Sequence, residues 1–268
     1  KGKKIVLVSL ARAGIPIGIL VKRYIKFKYG INVPHYSISI IRGRGIDDNA
    51  MKYLLEKYRP QQILFVDGWI GKGAILNELK KDISAYEGVS ADIAVVADPA
   101  NVTELCGTHE DILIPSSCLN STVSGLISRT FLRDDIIGRD DFHGAVYYGE
   151  LTDSDLSYDF IETIEKEFNM ENTPDLEKRV ESQGIDEVIN IGKNFGIDDI
   201  NLIKPGIGET TRVLLRRIPW KVLIDERYKG NPQLEHIVRL AEEKDTPVEY
   251  YPLTHYKCCG IIKKLADA

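Results

Sequence analysis

The chain has 268 residues, of which 43% are hydrophobic, and its formal net charge is −5. This length suffices for one large domain or two modest ones, and the charge excludes a uniformly basic nucleic-acid-binding protein. The charge is unevenly distributed: residues 201–268 have 12 Lys and Arg against 9 Asp and Glu, whereas residues 1–200 have a net charge of −8. A basic end on an acidic body suggests two separate roles.

Cysteine content and hydropathy favour a cytoplasmic protein. The four cysteines do not form a disulfide-like framework in a chain of this length, and we expect reduced thiols. No apolar stretch approaches the ~20 residues of a membrane span, and no signal peptide is evident. Because the first residues, KGKKIVLVSL, run directly into a buried-type strand, we expect further residues to precede them.

The first half of the chain alternates strand and helix patterns. Apolar runs predict strands at 3–10, 32–41, 61–67, 91–99 and 110–116. Helical spacing predicts helices at 17–30, 46–58 and 74–87, the first ending at Gly30. This order is typical of an α/β fold whose parallel sheet has helices on both faces. Ligands of such sheets bind beyond the carboxyl ends of the strands.

The second half divides into a connector and a smaller domain. Residues 151–183 are charged, amphipathic and helical in pattern, and they read as a connector between domains 1–150 and 184–268. In the latter, helices are predicted at 186–195, 209–218 and 231–244, and strands at 200–205, 221–226 and 248–253. This pattern predicts a small α/β/α sandwich of ordinary domain size.

Two strand–loop–helix junctions have the composition of phosphate-binding sites. FVDGWIGKGAI (65–75) contains a strand ending in Asp67, then a glycine loop and a helix. It matches neither the Walker A spacing nor the dinucleotide fingerprint. Backbone N–H groups at such a helix start can hold a phosphate, and the acid can accept hydrogen bonds from ribose hydroxyls. SLARAGIP (9–16) is a second such junction; the alternative is that the glycine loop is only a strand–helix turn.

LVSLARAGIPIG and ILFVDGWIGKGA resemble the two phosphate loops of type I phosphoribosyltransferases. With HYSISIIRGRGID and IPSSCLNSTVSGLISRT, residues 1–150 more closely resemble a phosphoribosyltransferase-related family. That family is linked to bacterial tellurium-resistance and stress operons and is also labelled the cysteine protease StiP family. The resemblance implies a type I phosphoribosyltransferase-like fold, a nucleotide-type or phosphoribosyl diphosphate ligand, Mg²⁺ and a possible homodimer.

The resemblance also assigns roles to residues. Asp67 would hold ribose hydroxyls, although the second acid usual in the family is replaced by Gly68. Arg42 and Arg44 would neutralise the departing diphosphate. The pyrophosphate would contact the loop residues Ala11, Arg12, Ala13 and Gly14, and the 5′-phosphate the loop residues Gly68, Gly71, Lys72, Gly73 and Ala74.

Cys118 lies in a cluster of small polar residues after a predicted strand. It is either a buried structural cysteine or a nucleophile whose partner would be His35, His109 or His143, between which the spacing does not choose. Cys106, His109 and Cys118 also offer three metal ligands, but no fourth is evident, and no metal site is predicted.

KPGIGETTRVLLRR (204–217) resembles the RNA-binding loop of the Pelota and kink-turn ribosomal-protein superfamily, with Gly208 where that family often has Asn. VEYYPLTHYKCCGIIKK (248–264) fits the same superfamily. The resemblance implies that RNA contacts Gly206, Gly208, Glu209, Thr211, Arg212, Arg216, Lys257 and Gly260. The alternative is a docking domain whose arginines form a solvated face.

Three functions follow as hypotheses. The first is a phosphoribosyltransferase-like enzyme with an appended RNA-binding domain, acting in a bacterial stress system. The second is a cysteine hydrolase or protease that uses Cys118. The third is a non-catalytic RNA-binding stress protein.

Overall fold

The computed structural model describes residues 4–118, 120–171 and 181–264. These residues form two β-sheets, each covered by helices. The first sheet belongs to the N-terminal part of the chain and has six strands in the order β3-β2-β1-β4-β5-β6. Its strands are β1 Val6–Ala11, β2 His35–Ile41, β3 Gly45–Ile46, β4 Ile63–Trp69, β5 Ile93–Ala97 and β6 Cys106–Thr108.

All neighbours in the first sheet run parallel except β3, which pairs antiparallel with β2. The predicted α/β class with a mostly parallel sheet is therefore confirmed. Leu7 and Phe65 are fully buried in neighbouring strands, because helices cover both faces of the sheet. The helices that accompany it are α1 Gly14–Tyr29, α2 Asp48–Lys57, α3 Ala74–Ile83, α4 Pro115–Cys118 and α5 Ser157–Glu165.

Local sequence signals set the ends of two of these helices. The helix α1 stops at Gly30, as predicted, because this glycine adopts a left-handed φ of 67°. The helix α2 begins at Asp47, whose carboxylate accepts a hydrogen bond from the Ala50 backbone N–H at 3.0 Å.

The second sheet has four strands in the order β7-β10-β8-β9. The central strand β10 runs antiparallel to both neighbours, while β8 and β9 are parallel. Three helices pack against this sheet. The elements are α6 Gly184–Phe195, β7 Ile203–Pro205, α7 Ile207–Arg216, β8 Pro219–Ile224, α8 Glu235–Glu243, β9 Val248–Tyr250 and β10 Cys258–Ile262.

Three sequence-based assignments differ from the structure. The strand predicted at 110–116 is absent; the edge strand is instead β6, which begins at Cys106. Residues 114–118 turn into α4 because Pro115 favours the first turn of a helix. The strand β10 was not predicted, and it forms the centre of the second sheet. Of the helical connector predicted at 151–183, residues 172–180 lie outside the described residues.

Within the described residues, none of the helices combines the length and the apolar character needed to cross a bilayer.

Candidate active site

A cavity of about 260 Å³ lies where the carboxyl ends of β1 and β4 meet the second sheet. The cavity is lined by residues that the sequence analysis assigned to two different sites, the phosphate-binding loops and the RNA-binding loop. Polar and charged side chains from both regions line it: Arg42, Asp67, Lys72, Ser117, Lys204, Glu209 and Arg212. The glycine loop 71–73 and Ala74 also reach the cavity, as does Ala13 of the other predicted phosphate loop. The fold therefore brings both predicted loops to one place.

Asp67 faces this cavity at the end of β4. One carboxylate oxygen accepts a hydrogen bond from the Gly68 N–H at 2.7 Å. Burial raises the pKa of Asp67 to about 7, since desolvation outweighs that single hydrogen bond. The pKa of Asp67 thus lies near neutral pH, which is a feature of functional sites and of some structural ones.

Lys72 and Arg42, whose cationic side chains were predicted to contact phosphates, instead form hydrogen bonds to the C-terminal region. Lys72 Nζ donates hydrogen bonds to the carbonyl oxygens of Ile200 at 2.8 Å and Ile203 at 3.0 Å. Burial lowers the pKa of Lys72 to about 8. Arg42 donates to the Asn201 side chain at 3.0 Å. These two side chains tie the regions together.

The remaining residues of the predicted phosphate loops have mainly structural surroundings. Arg44 is exposed in the turn before β3 and does not line the cavity. A side chain at Gly14 would meet the Val66 carbonyl oxygen at 2.5 Å, and one at Gly68 would meet the Ser117 hydroxyl at 2.4 Å. Both glycines are therefore required for close packing, whatever the cavity binds.

The cavity does not fit Mg²⁺, which the sequence resemblance implied. Magnesium prefers several oxygen ligands in octahedral geometry. The carboxylates that line the cavity are Asp67 and Glu209, and Glu209 is paired with Arg212. Four cationic side chains line the same wall. The donor set therefore disfavours a divalent cation.

The predicted RNA-binding loop is packed against the first sheet. Gly206, Gly208, Thr211, Lys257 and Gly260 are all buried. Gly206 has a left-handed φ of 87°, and a side chain there would meet the Trp69 ring at 2.8 Å. These five positions were expected to contact RNA at the protein surface, but the structure buries them.

Asp111 explains how this loop is held. Its carboxylate is 2% exposed and accepts hydrogen bonds from the backbone N–H groups of Ile207 at 3.0 Å and Lys257 at 2.9 Å. Ile207 is the first residue of α7, so the acid occupies the anion-binding end of that helix. Nothing in the sequence singled out Asp111, because its partners are more than 90 residues away.

Lys257 was expected to face RNA phosphates, but its ammonium group is occupied within the protein. Its Nζ donates to the Gln233 side chain at 2.9 Å and lies 3.4 Å from a carboxylate oxygen of Glu110. The side chain is 7% exposed.

Cys118, for which the sequence left open a structural role or a role as nucleophile, is 3% exposed. Its Sγ lies 3.7 Å from the Gly208 carbonyl oxygen, and burial raises the pKa of the thiol. Of its three candidate histidine partners, His35 is bonded to Ser9 and His143 to Ser39. A neutral, enclosed thiol without an imidazole at hydrogen-bond distance is a weak nucleophile.

The third histidine, His109, faces a different cysteine. The Cys106 Sγ lies 3.6 Å from His109 Nε2 and 3.8 Å from Nδ1. Cys106 begins β6 and His109 follows it, so the short edge strand presents both side chains to one spot. Both residues are half-buried, in contrast to the buried Cys118.

Asp98 completes this group from the end of β5. Its backbone oxygen lies 3.0 Å from His109 Nδ1, and its carboxylate oxygen Oδ2 lies 3.7 Å from the same atom. A proton on Nδ1, donated to the Asp98 carbonyl, leaves Nε2 as the basic nitrogen. Because the thiol is nearly equidistant from the two ring nitrogens, a small rotation of the ring or of the Cys106 side chain would align Nε2 with the thiol. The ligand atoms of these three residues lie within 4.8 Å of one another, so the group also has the composition of a partial metal site. Cys118 is not part of it.

The sequence contained a partial signal for this site. Cys106 and His109 were noted as metal-ligand candidates together with Cys118, but the strand that begins at Cys106 was not recognised. Asp98 stood at the end of a predicted strand. Assigning the next strand to 106–108 would have placed all three residues at neighbouring strand positions.

Two family models match the chain. One, described as "Tellurite-like stress resistance cysteine protease StiP", matches residues 1–165, and the other, "PELOTA RNA binding domain", matches residues 182–264. The chain is also 33% identical over 282 residues to the "Cysteine protease StiP" of Acinetobacter baylyi. That alignment covers 97% of this chain and 73% of the relative.

These matches correct the first functional hypothesis. A phosphoribosyltransferase-like enzyme is contradicted, because the matching family and the relative are both described as cysteine proteases. The phosphoribosyltransferase resemblance finds no support in them. They favour the second hypothesis, a cysteine protease. The Pelota match supports the C-terminal resemblance at the level of the domain.

Proposed function

The chain belongs to the StiP family of tellurite-like stress resistance cysteine proteases, and on that basis we propose that it cleaves peptide bonds with Cys106 as nucleophile. The observation that supports this choice is the 3.6 Å separation between Cys106 Sγ and His109 Nε2, two half-buried residues at the sheet edge. Among the described cysteines, the thiols at 118, 258 and 259 are all buried.

The chemistry follows from this geometry. His109 Nε2 accepts the thiol proton, and the Cys106 sulfur attacks the carbonyl carbon of the substrate. When the tetrahedral intermediate collapses, the imidazolium returns the proton to the departing amine and a thioester remains. Water, deprotonated by the same Nε2, then hydrolyses the thioester and releases the acid and the free thiol.

Asp98 acts as a positioning residue in this scheme. Its carboxylate Oδ2 accepts hydrogen bonds from the backbone N–H groups of Val102 at 2.7 Å and Thr103 at 2.8 Å. These bonds fix the turn that leads into β6. The Asp98 carbonyl then holds the imidazole ring through Nδ1.

The test compares two cysteines of the same chain. Cys106→Ala should abolish hydrolysis of an unfolded protein substrate, whereas Cys118→Ala should retain it. His109→Ala should lower the rate by at least about 100-fold, the range for loss of a general base. Full activity of Cys106→Ala together with inactivity of a folded Cys118→Ala would return the role to Cys118.

We also propose that the C-terminal region binds RNA. The match of residues 182–264 to a Pelota RNA-binding domain supports this, as does the net charge of +3 over residues 201–268. Direct titration of the purified protein with labelled single-stranded RNA at several salt concentrations tests it. Affinity that does not fall with salt would argue against a phosphate-dependent interaction.

A further inference from the structure

Four arginines from both parts of the chain converge beside the junction of the two sheets. Arg12 follows β1, and Arg129 lies in the segment after α4. Arg212 and Arg216 are one turn apart on α7. We refer to these four residues as the arginine cluster.

The contacts of Arg12 connect the members of the cluster. Its guanidinium donates a hydrogen bond to the Ile127 carbonyl oxygen at 3.0 Å, two residues before Arg129. The pKa of Arg12 is lowered to about 10, first by burial and then by the positive charge of Arg129, with further contributions from Arg216 and Arg212. Ala13, next to Arg12, and Arg212 line the same cavity, which places members of the cluster from both parts of the chain on one side of the junction.

Protein carboxylates do not balance this charge. Glu209 pairs with Arg212 at 2.5 Å. In the described ranges, no carboxylate oxygen lies within 4 Å of the guanidinium groups of Arg12, Arg129 or Arg216. Arg129 and Arg216 are exposed. The cluster therefore has an excess of about three positive charges on the protein surface, which favours an anionic ligand.

Aromatic side chains adjoin the cluster. Tyr148 lies close enough to Arg12 to influence its pKa, and the preceding Tyr147 is 65% exposed. Tyr147 pairs through its backbone with Ile127, which places it near the segment that leads to Arg129. Exposed aromatic rings beside arginines suit nucleic acid, because bases stack on the rings while phosphates contact the guanidinium groups.

The amino-terminal end of α7, where a helix usually binds anions, is not available to a nucleic acid. The Asp111 carboxylate already accepts the hydrogen bond of the Ile207 backbone N–H, and Gly206 packs on Trp69. Arg212 and Arg216 lie further along the helix, towards its carboxyl end. They remain open to an anion, because Arg216 is exposed and Arg212 lines the cavity beside Ala13.

We propose that RNA binds across the junction, with its phosphates on Arg129 of the N-terminal part and Arg216 of the C-terminal part. This inference rests on the proposed RNA binding and adds that the protease region supplies half of the RNA-binding surface. The protein as a whole, and not its C-terminal region alone, is then the RNA-binding unit.

The experiment measures RNA affinity and its salt dependence for the full chain. The variants are Arg129→Ala and Arg216→Ala, both exposed positions. The matched controls are Arg139→Ala and Arg239→Ala, also exposed but outside the cluster. Removing one arginine that binds a phosphate should weaken binding to single-stranded RNA about fourfold at 0.15 M salt and reduce the slope of log affinity against log salt by about 0.7.

We expect both cluster variants to show this weaker binding, the affinity of the double variant to fall about 15-fold, and the controls to bind like the unmodified chain. Weaker binding by Arg216→Ala but not by Arg129→Ala would overturn the shared surface while leaving RNA binding by the C-terminal region intact. RNA binding unaffected by either variant would also overturn it. Absence of RNA binding by the unmodified chain would refute both proposals. Binding of poly-glutamate with the affinity of RNA would show that the cluster takes acidic peptides instead.

Discussion

Two opposing effects determine the pKa of Asp111, and the pH dependence of protein stability shows which of them is larger. The helix end of α7 and the N–H groups of Ile207 and Lys257 stabilise the carboxylate, whereas burial disfavours its charge. Burial prevails and raises the pKa of Asp111 from 3.8 to about 6. A pKa shift of one unit corresponds to about 1.4 kcal/mol, so ionisation of Asp111 lowers the free energy of unfolding by about 3 kcal/mol.

The sign of the pH dependence follows from this shift. The folded protein keeps the Asp111 proton to higher pH than the unfolded chain does. The stabilisation from this proton is complete below the unfolded pKa of about 3.8 and is lost as the pH rises through about 6. About 2 of the 3 kcal/mol should disappear between pH 4.5 and 7.5.

Asp111→Asn isolates this contribution, because the amide does not titrate. The variant loses one acceptor and turns an amide N–H group toward a backbone donor, which costs about 1–3 kcal/mol at acid pH. Urea unfolding of both proteins at half-unit steps from pH 4.5 to 7.5 gives the difference in unfolding free energy. The advantage of the unmodified chain over the variant should shrink by about 2 kcal/mol across this range. An advantage that grows with pH would refute the reasoning, since the helix end would then outweigh burial.

Three further outcomes are expected. The pKa of His35 is lowered to about 4 by burial, so the stability of the unmodified chain relative to His35→Gln should fall as the pH drops from 6.5 towards 4; a constant difference would contradict this. Iodoacetamide should modify Cys106 in the folded protein well before Cys118, as followed by peptide mass spectrometry, and equal rates would show that Cys118 is accessible. Gly206→Ala should lower the free energy of unfolding by about 1–3 kcal/mol, because the φ of Gly206 is left-handed and the new methyl group would overlap the Trp69 ring. An unchanged melting temperature in thermal unfolding would show that the two regions separate easily.

Local sequence patterns were sufficient for most of the first sheet. Continuous apolar runs identified the strands β1, β2, β4 and β5, and Gly30 marked the end of α1. Strand β6 was missed because CGT is too short and too polar to show a periodicity. Strand β10, with its two cysteines and a glycine, was missed because its burial is decided by neighbours that are distant in sequence.

The same limit applies to the candidate site. Composition predicted two phosphate-binding loops, and the structure has a cavity beside Asp67. Sequence patterns did not show that Lys72 and Asp111 would turn toward the C-terminal region, because both contacts join residues more than 90 positions apart. The choice between cysteines also required coordinates, since the distance between Cys106 and His109 depends on the path of β6.

The bonds between the two regions have an evolutionary consequence. Asp111 and Lys72 reach across as side chains, but their partners in the C-terminal region are backbone groups, which every residue type except proline supplies at the donor positions. Substitutions at residues 200, 203, 207 and 257 can therefore accumulate without breaking these bonds. The reverse does not hold, because replacing either side chain removes two hydrogen bonds at once. These bonds therefore restrict the residue type at Lys72 and Asp111, whereas on the C-terminal side only packing does so, as at Gly206 and the buried Ile203 and Ile207.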